Sequence, residues 1–256
     1  MLTHRTIVVL FAVLLGTLIF FDNTYTIHWS SYLLLILVFS GIEFYGAYFI
    51  HSGFHLKAIC SVETQDKIIA LSFDDGPAAQ TEKILDVLEE FDAKATFFCI
   101  GSRIQGKESI LKKINSKGHL IGNHSYSHDF LFDLKNTRTF IKDLELCNAQ
   151  IRDAIGKTPV FFRPPYGVST PGLARAVKKM NFDVIGWNIR SLDTSIKDKQ
   201  KVFSRIKERL QPGSILLMHD TVAGMEFVLK DLLIYLKEQN YKVMPLDQLI
   251  QKQAYA

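Results

Sequence analysis

KIIALSFDDGP, residues 67–77, sets two adjacent aspartates where an apolar run meets a stop. Ile68, Ile69, Ala70, Leu71 and Phe73 make a short, nearly continuous apolar segment, and Gly76-Pro77 ends it directly behind Asp74 and Asp75. Such a run, bounded by a turn, reads as a buried strand. Two like charges side by side at its end repel each other. A cation relieves that repulsion if the rest of the chain supplies further ligands.

Outward from this run the pattern repeats. KATFFCI (94–100), HLIG (119–122), PVFFR (159–163), FDVIGWN (182–188), SILLMH (214–219) and YKVM (241–244) read as six more strands. Helical spacing lies between them. In TEKILDVLEEF (81–91), Ile84, Leu85, Leu88 and Phe91 share a face, with Thr81 as the expected N-cap. LARAVKKM (173–180) and FVLKDLLIYLKEQ (227–239) read the same way. Strands alternating with helices predict a parallel sheet. Seven repeats without a break predict closure into a (β/α)7 barrel over residues 57–256 rather than two domains.

The unusual polar clusters follow these strands: DDGP (74–77), NHSYSH (123–128), RPPYG (163–167), NIRSLD (188–193) and HD (219–220). All fall at carboxyl ends, the face where loops of an α/β barrel converge on an active site. His124 and His128 are spaced i, i+4, which on a helical turn places both imidazoles on one side. Alone, such a pair is ordinary surface polarity. With Asp75 it makes two nitrogens and one carboxylate oxygen, a donor set that zinc accepts while keeping positions open. Asp74 is then left beside the ion, placed to take a proton from water.

In this order, SFDDGP, HSYSH, RPPYG, SLD and LLMHD resemble the five motifs of the NodB-type polysaccharide deacetylases, carbohydrate esterase family 4, over about residues 67–250. The resemblance implies a distorted barrel that removes N-acetyl groups from amino sugars with a divalent metal, zinc above all. It implies that Asp74 is the general base and that Asp75, His124 and His128 are the metal ligands. Arg163 matches the arginine that holds the base, and Asp193 the aspartate that partners that arginine or the acid. His219 matches the general acid, Leu217 an apolar wall for the acetyl methyl, and Tyr166 the residue whose backbone N–H meets the oxyanion. Arg163, fixed beside Pro164-Pro165, is expected to clamp a carboxylate in bidentate fashion. The fourth motif departs from the pattern: Thr194 stands where the family carries tryptophan, and Arg190 where it carries an acid. Blander readings stay open: Arg163 tying loops, Asp193 capping a turn, His219 a satisfied strand-end histidine, Trp187 either core or sugar platform. His119, with no partner in the motifs, reads as structural.

The first fifty residues differ from the rest. Thr6–Phe21 carries no charge and Tyr32–Ile50 only Glu43. A bilayer-spanning helix needs about 20 apolar residues, the range starting near 17. The two segments predict a membrane-anchoring hairpin over residues 1–56. A cleaved signal peptide is the competing reading of the first, although no Ala-x-Ala-like site follows it. Arg5 and Lys57 flank the outer ends while the connecting loop has no Lys or Arg, so the positive-inside rule places the remaining domain in the cytoplasm. Glu43 is expected near one interface or facing the other helix.

The chain has 256 residues and a net charge of +4, with basic residues scattered, so no nucleic-acid partner is expected. The three cysteines, Cys60, Cys99 and Cys147, form no CxxC pair and no disulfide framework. The apolar segments imply a membrane partner, and the resemblance implies an N-acetylated glycan or lipid-linked sugar. A deformylase or other amide hydrolase on the same fold, and a non-catalytic glycan-binding barrel, are the alternatives. The second is disfavoured because both Asp74 and His219 are present.

Overall fold

The protein, seen in a computed structural model, is described over residues 3–256. Two long helices, α1 (His4–Asp22) and α2 (Trp29–Tyr48), come first. The alternation follows: β1 (Ile68–Asp74), α3 (Ala79–Glu90), β2 (Ala95–Cys99), α4 (Glu108–Ser116), β3 (Leu120–Asn123), α5 (Thr137–Ile155), β4 (Phe161–Phe162) and α6 (Pro171–Lys179). It continues through β5 (Asp183–Val184), β6 (Ile189–Arg190), α7 (Lys199–Arg209), β7 (Ser214–His219), α8 (Met225–Glu238), β8 (Lys242–Val243) and α9 (Leu246–Ile250).

All strand pairs are parallel, in the order β5-β4-β3-β2-β1-β7-β6, with β8 added beside β1. β1 is buried from Ile69 to Asp74, as expected of a central parallel strand covered on both faces. Alternate residues serve different layers. Ile69, Leu71 and Phe73 pack outward with Phe97, Leu216 and Met218 against the helices. Ala70, Phe98, Phe161 and Ile215 fill the inside of the curl, closed from below by Leu246 and Leu249 of α9.

The inward-facing positions become polar toward the carboxyl ends. The register pairs Ala70 with Ile215, Ser72 with Leu217 and Asp74 with His219. Because side chains repeat every two residues along a strand, these six form three successive levels on one face. The lowest level is apolar and the top one is ionisable, so a strict period of two lifts Asp74 and His219 to the mouth of the curl.

The predicted closed seven-stranded barrel is replaced by a curled, open sheet of eight strands. No ladder joins β5 to β6. The chain passes between them through residues 185–188 with no helix, switching partners from β4, at Val184 opposite Phe162, to β7, at Ile189 opposite Leu216. The segment around residues 58–62 covers this seam: Ile59 N–H donates to Val184 O (2.9 Å), Gly186 N–H to Ile59 O (2.8 Å) and Val62 N–H to Gly213 O (2.9 Å). Thr81 also departs from expectation. α3 starts at Ala79, and the Thr81 hydroxyl sits inside the first turn, accepting from Ala78 N–H at 2.9 Å.

α1 and α2 are long and apolar enough to cross a membrane, a test that a signal sequence near the N-terminus also passes. Only Ile7 and Gly46 are buried in them, while Val9, Leu14, Phe20, Leu34 and Phe44 are exposed. Phe11 stacks on Phe39 across the pair. Glu43 faces the other helix at its base, accepting from or pairing with His4 Nδ1 at 2.9 Å. The base of the pair is joined to the rest of the chain: His4 N–H donates to Phe54 O (3.2 Å), and Ser169 N–H to Ala47 O (2.9 Å).

Gly213, at φ 74°, both opens β7 and anchors the seam; a Cβ there would be driven into the Val62 carbonyl. Gly213→Ala is expected to destabilise the chain by about 1–3 kcal/mol, from a left-handed non-glycine residue and displacement of the covering segment. Thermal unfolding of the detergent-solubilised chain checks this; an unchanged midpoint would contradict the role given to the seam.

Candidate active site

The top level of the curl opens into a pocket of about 200 Å³ lined by Asp74, Asp75, His124, His128, Tyr166 and His219, among others. Leu217, Trp187, Arg190 and Thr194 complete its wall. The sequence-predicted residues thus converge from five strand ends; Arg163 and Asp193 lie buried behind the lining, where they grip it.

The two aspartates part company. Asp74, the last residue of β1, is buried, and its Oδ1 accepts from Arg163 Nη1 at 2.7 Å. Its Oδ2 stays free of the arginine, 3.8 Å from His124 Nε2. Asp75 takes a left-handed backbone, φ 75°, and its Oδ1 lies 3.6 Å from His124 Nε2 and 3.4 Å from His128 Nε2. Burial pushes the Asp75 carboxyl up, but His124, His128, His219 and Arg103 together outweigh it and hold the group below its ordinary value.

The donor set fits a divalent ion. One ligand atom from each of Asp75, His124 and His128 falls within 4.8 Å of the other two. His124 Nδ1 lies 2.7 Å from the Arg163 carbonyl, which can only accept, so Nδ1 carries the proton and Nε2 turns a lone pair to the pocket. The His128 imidazole is pushed down to about 4, by burial first and then by His124, against the pull of Asp75. It is therefore neutral, as a ligand must be.

The helical turn expected for His124–His128 is absent. The segment is an irregular loop with left-handed Ser125 (φ 64°) and His128 (φ 45°). Side chains brace it: Ser125 N–H donates to Asn123 Oδ1 (2.8 Å), His128 N–H to Ser125 Oγ (3.0 Å) and Tyr126 N–H to Asp143 Oδ1 (2.7 Å). Lys135 Nζ joins Ser127 Oγ (2.7 Å) to Asp143 Oδ2 (3.2 Å). Asp143, on α5, and Lys135 were not foreseen; in sequence they are ordinary polar residues of a helix and its approach.

Arg163 is fully buried, and its grip is not the expected bidentate clamp. Nη1 donates to both Asp74 Oδ1 and Ser72 Oγ (2.8 Å), Nε to Ile185 O (3.2 Å) and Nη2 to Gly186 O (2.9 Å). Phe98 lies under the guanidinium, 4.1 Å from ring centroid to Cζ, with Trp187 at 5.6 Å. The carbonyls of the β5–β6 crossing compete for the N–H groups that a bidentate pair would use.

Asp193 partners His219, not the arginine. Its Oδ1 meets His219 Nδ1 at 2.7 Å and its Oδ2 accepts His219 N–H at 2.7 Å. Burial pushes the His219 imidazole down, but the hydrogen bond and charge of Asp193, with Asp74 and Asp75 behind it, outweigh burial and raise it above its ordinary value. Tyr166 sits in the short turn at 165–167 with φ 57°, its ring edge-on to His128 at 4.8 Å between centroids. Leu217 is buried at the pocket floor. Trp187 lines the pocket with Gly167 close beneath it, so it is wall as much as core.

Asp220 and His119 complete the account. Asp220 is buried behind the aspartates and accepts from Thr81 Oγ1 at 2.6 Å, fixing the first turn of α3 to the end of β7. Its position excludes any side chain at Gly76. Burial, with Asp75 and Asp74 adding to it, pushes its carboxyl up to about 7. His119 is structural: its Nδ1 accepts from Ala95 N–H at 3.2 Å, remote from the pocket lining.

Known proteins resemble this chain in sequence and in fold. The polysaccharide deacetylase family model matches residues 61–185. A peptidoglycan-N-acetylglucosamine deacetylase of Bacillus cereus is 34% identical over 191 residues, covering 69% of this chain and 68% of the relative. A peptidoglycan-N-acetylmuramic acid deacetylase of Bacillus subtilis is 29% identical over 192 residues, covering 73% of each. The crystal structure of the Bc1960 peptidoglycan N-acetylglucosamine deacetylase superposes with a TM-score of 0.72 at 28% identity, covering 77% of this chain and 94% of that one. The chain belongs to the polysaccharide deacetylase family, carbohydrate N-deacetylases that hydrolyse linear amide C–N bonds.

Proposed function

We propose that the chain is a membrane-anchored, metal-dependent hydrolase that removes N-acetyl groups from the amino sugars of a glycan. The observation that carries this reading is the register of Asp74 opposite His219 across a pocket that also holds Asp75, His124 and His128. It sets a proton acceptor and a proton donor on two sides of one small cavity, beside a three-ligand set. The similarity to deacetylases named for N-acetylglucosamine and N-acetylmuramic acid supports an N-acetylated sugar.

Asp75, His124 and His128 would hold the ion. Zinc suits two imidazoles and a carboxylate, and such an ion supplies Lewis acidity to the scissile carbonyl and to the attacking water. Asp74 takes the proton from that water through Oδ2. Arg163 holds Oδ1, so the carboxylate is oriented. A backbone N–H at Tyr166 meets the developing oxyanion, a contribution typically about 3–4 kcal/mol. His219 hands its Nε2 proton to the departing amine, with Nδ1 fixed by Asp193. Leu217 packs the acetyl methyl and limits the size of the acyl group.

Residues 1–56 form the anchor on this reading and residues 57–256 the catalytic domain. The exposed apolar surfaces of α1 and α2 support a bilayer around them. Arg5 and Lys57 support a cytoplasmic catalytic domain. A reporter fused after Ala256 checks the side; activity only on the far side of the membrane would reverse it.

Asp74→Asn is expected to retain the ion and lose at least about a hundredfold in acetate release. His124→Ala and His128→Ala are each expected to lose the ion, read by elemental analysis. Normal turnover in the first, or full occupancy in the others, contradicts the roles given. Asp193→Asn removes the charge that raises His219, so the imidazole gives up its proton at lower pH. The alkaline limb of the kcat profile should then move toward acid; a limb that stays in place assigns that proton to another group.

A further inference from the structure

A second cavity, of about 390 Å³, adjoins the catalytic pocket and shares Tyr166, Trp187 and Arg190 with it. Tyr48 and Phe49, at the end of α2, also line it. Along its length stand three arginines: Arg190 on β6, and Arg205 and Arg209 one turn apart on α7. Residues four apart on a helix share a face, and like charges so placed repel.

Among the described residues, no buried carboxylate answers them. Arg205 Nε donates to the Arg190 carbonyl (2.9 Å) and Arg209 Nη1 to the Arg205 carbonyl (3.3 Å). Among the described residues, the one carboxylate within 4 Å of the three is Glu208, 3.8 Å from Arg209 and largely exposed. Burial, then Arg209 and Arg190, lower the proton affinity of Arg205, the mark of cations crowded together. Arg190 also leans over the Trp187 ring at 5.9 Å. A neutral glycan needs no such cluster.

We propose that this groove is a phosphate subsite, and that the substrate is an N-acetylated amino sugar carried on a lipid phosphate or diphosphate. The proposal rests on the deacetylase reading of the adjoining pocket. The lining offers a partner for each part of such a molecule: aromatic side chains at the end of an apolar helix for the lipid, guanidiniums for the phosphate, and the adjoining catalytic pocket for the acetylated sugar. Guanidinium forks suit phosphate oxygens.

The test uses the full chain in neutral phosphatidylcholine nanodiscs. Acetate release is measured on N-acetylglucosamine as a prenyl diphosphate, as a water-soluble diphosphate ester, and as a neutral oligosaccharide. The prenyl diphosphate should give the highest kcat/KM and the neutral oligosaccharide the lowest. Arg205→Gln/Arg209→Gln should lower the ratio of prenyl diphosphate to neutral kcat/KM at least about tenfold, mainly through KM. Arg205→Lys/Arg209→Lys should restore part of it. An unchanged ratio, or no preference for phosphate, overturns the proposal. So does equal preference for the soluble ester, which would leave the lipid without a role, or competition by phosphatidylglycerol vesicles as strong as by the diphosphate, which would make the groove a headgroup site. Equilibrium binding of the prenyl diphosphate sugar to Asp74→Asn separates the two readings. Absent turnover with binding that depends on the arginines sinks the deacetylase reading alone; binding indifferent to them sinks the subsite.

Discussion

The buried contact between Arg163 and Asp74 is the constraint on which the rest depends. A guanidinium with no exposure sits at the centre of the curl and is answered by one carboxylate, one hydroxyl and two carbonyls. Burying such a pair is costly, and removing one partner costs more, about 3–5 kcal/mol, because the other charge is left unpaired. The same cation satisfies the carbonyls of Ile185 and Gly186, where the chain leaves one strand partner for another. One side chain thus closes the open side of the sheet and orients a carboxylate at the mouth. Fold and site share a single set of hydrogen bonds.

The adjacent aspartates resolve by turning in opposite senses. Asp74 is the last extended residue of its strand, and Asp75 adopts a positive φ. One carboxylate therefore goes to the arginine and the other to the imidazoles. Ser125, His128, Tyr166 and Leu192 also hold left-handed backbone without being glycine, and all lie in the loops around the pocket. Such residues are disfavoured, and they persist where the surroundings over-determine them. Here Asn123, Asp143 and Lys135 do this for the histidine loop.

Much of this was legible in the sequence, for a physical reason. Apolar runs ending in polar clusters mark buried parallel strands whose carboxyl ends leave the core, so the residues of the pocket could be named and their convergence foreseen. What failed was whatever depends on which backbone groups compete for a side chain. Spacing alone suggested a helical turn for His124 and His128, because i, i+4 does not distinguish a helix from a braced loop. Arg163 suggested a bidentate pair, because the carbonyls at 185 and 186 are invisible until the chain crosses there. β6, Ile189–Arg190, falls just past the run read as one strand over 182–188, in the polar cluster that follows it, and its two residues settle whether the sheet closes. Asp143 carries no signal at all: it is one acid on a long amphipathic helix, and only its burial against the histidine loop sets it apart.

The hydrogen bond from Ser169 to Ala47 has a consequence for reach. It joins the loop that carries Tyr166 to the last turn of the second apolar helix with no flexible tether between them. If the helices are embedded as proposed, the pocket would be held at a fixed height above the lipid surface, like a blade on a short handle. Acetyl groups beyond that height would then be out of range, and lengthening the stretch between helix and loop would change which sugars are trimmed.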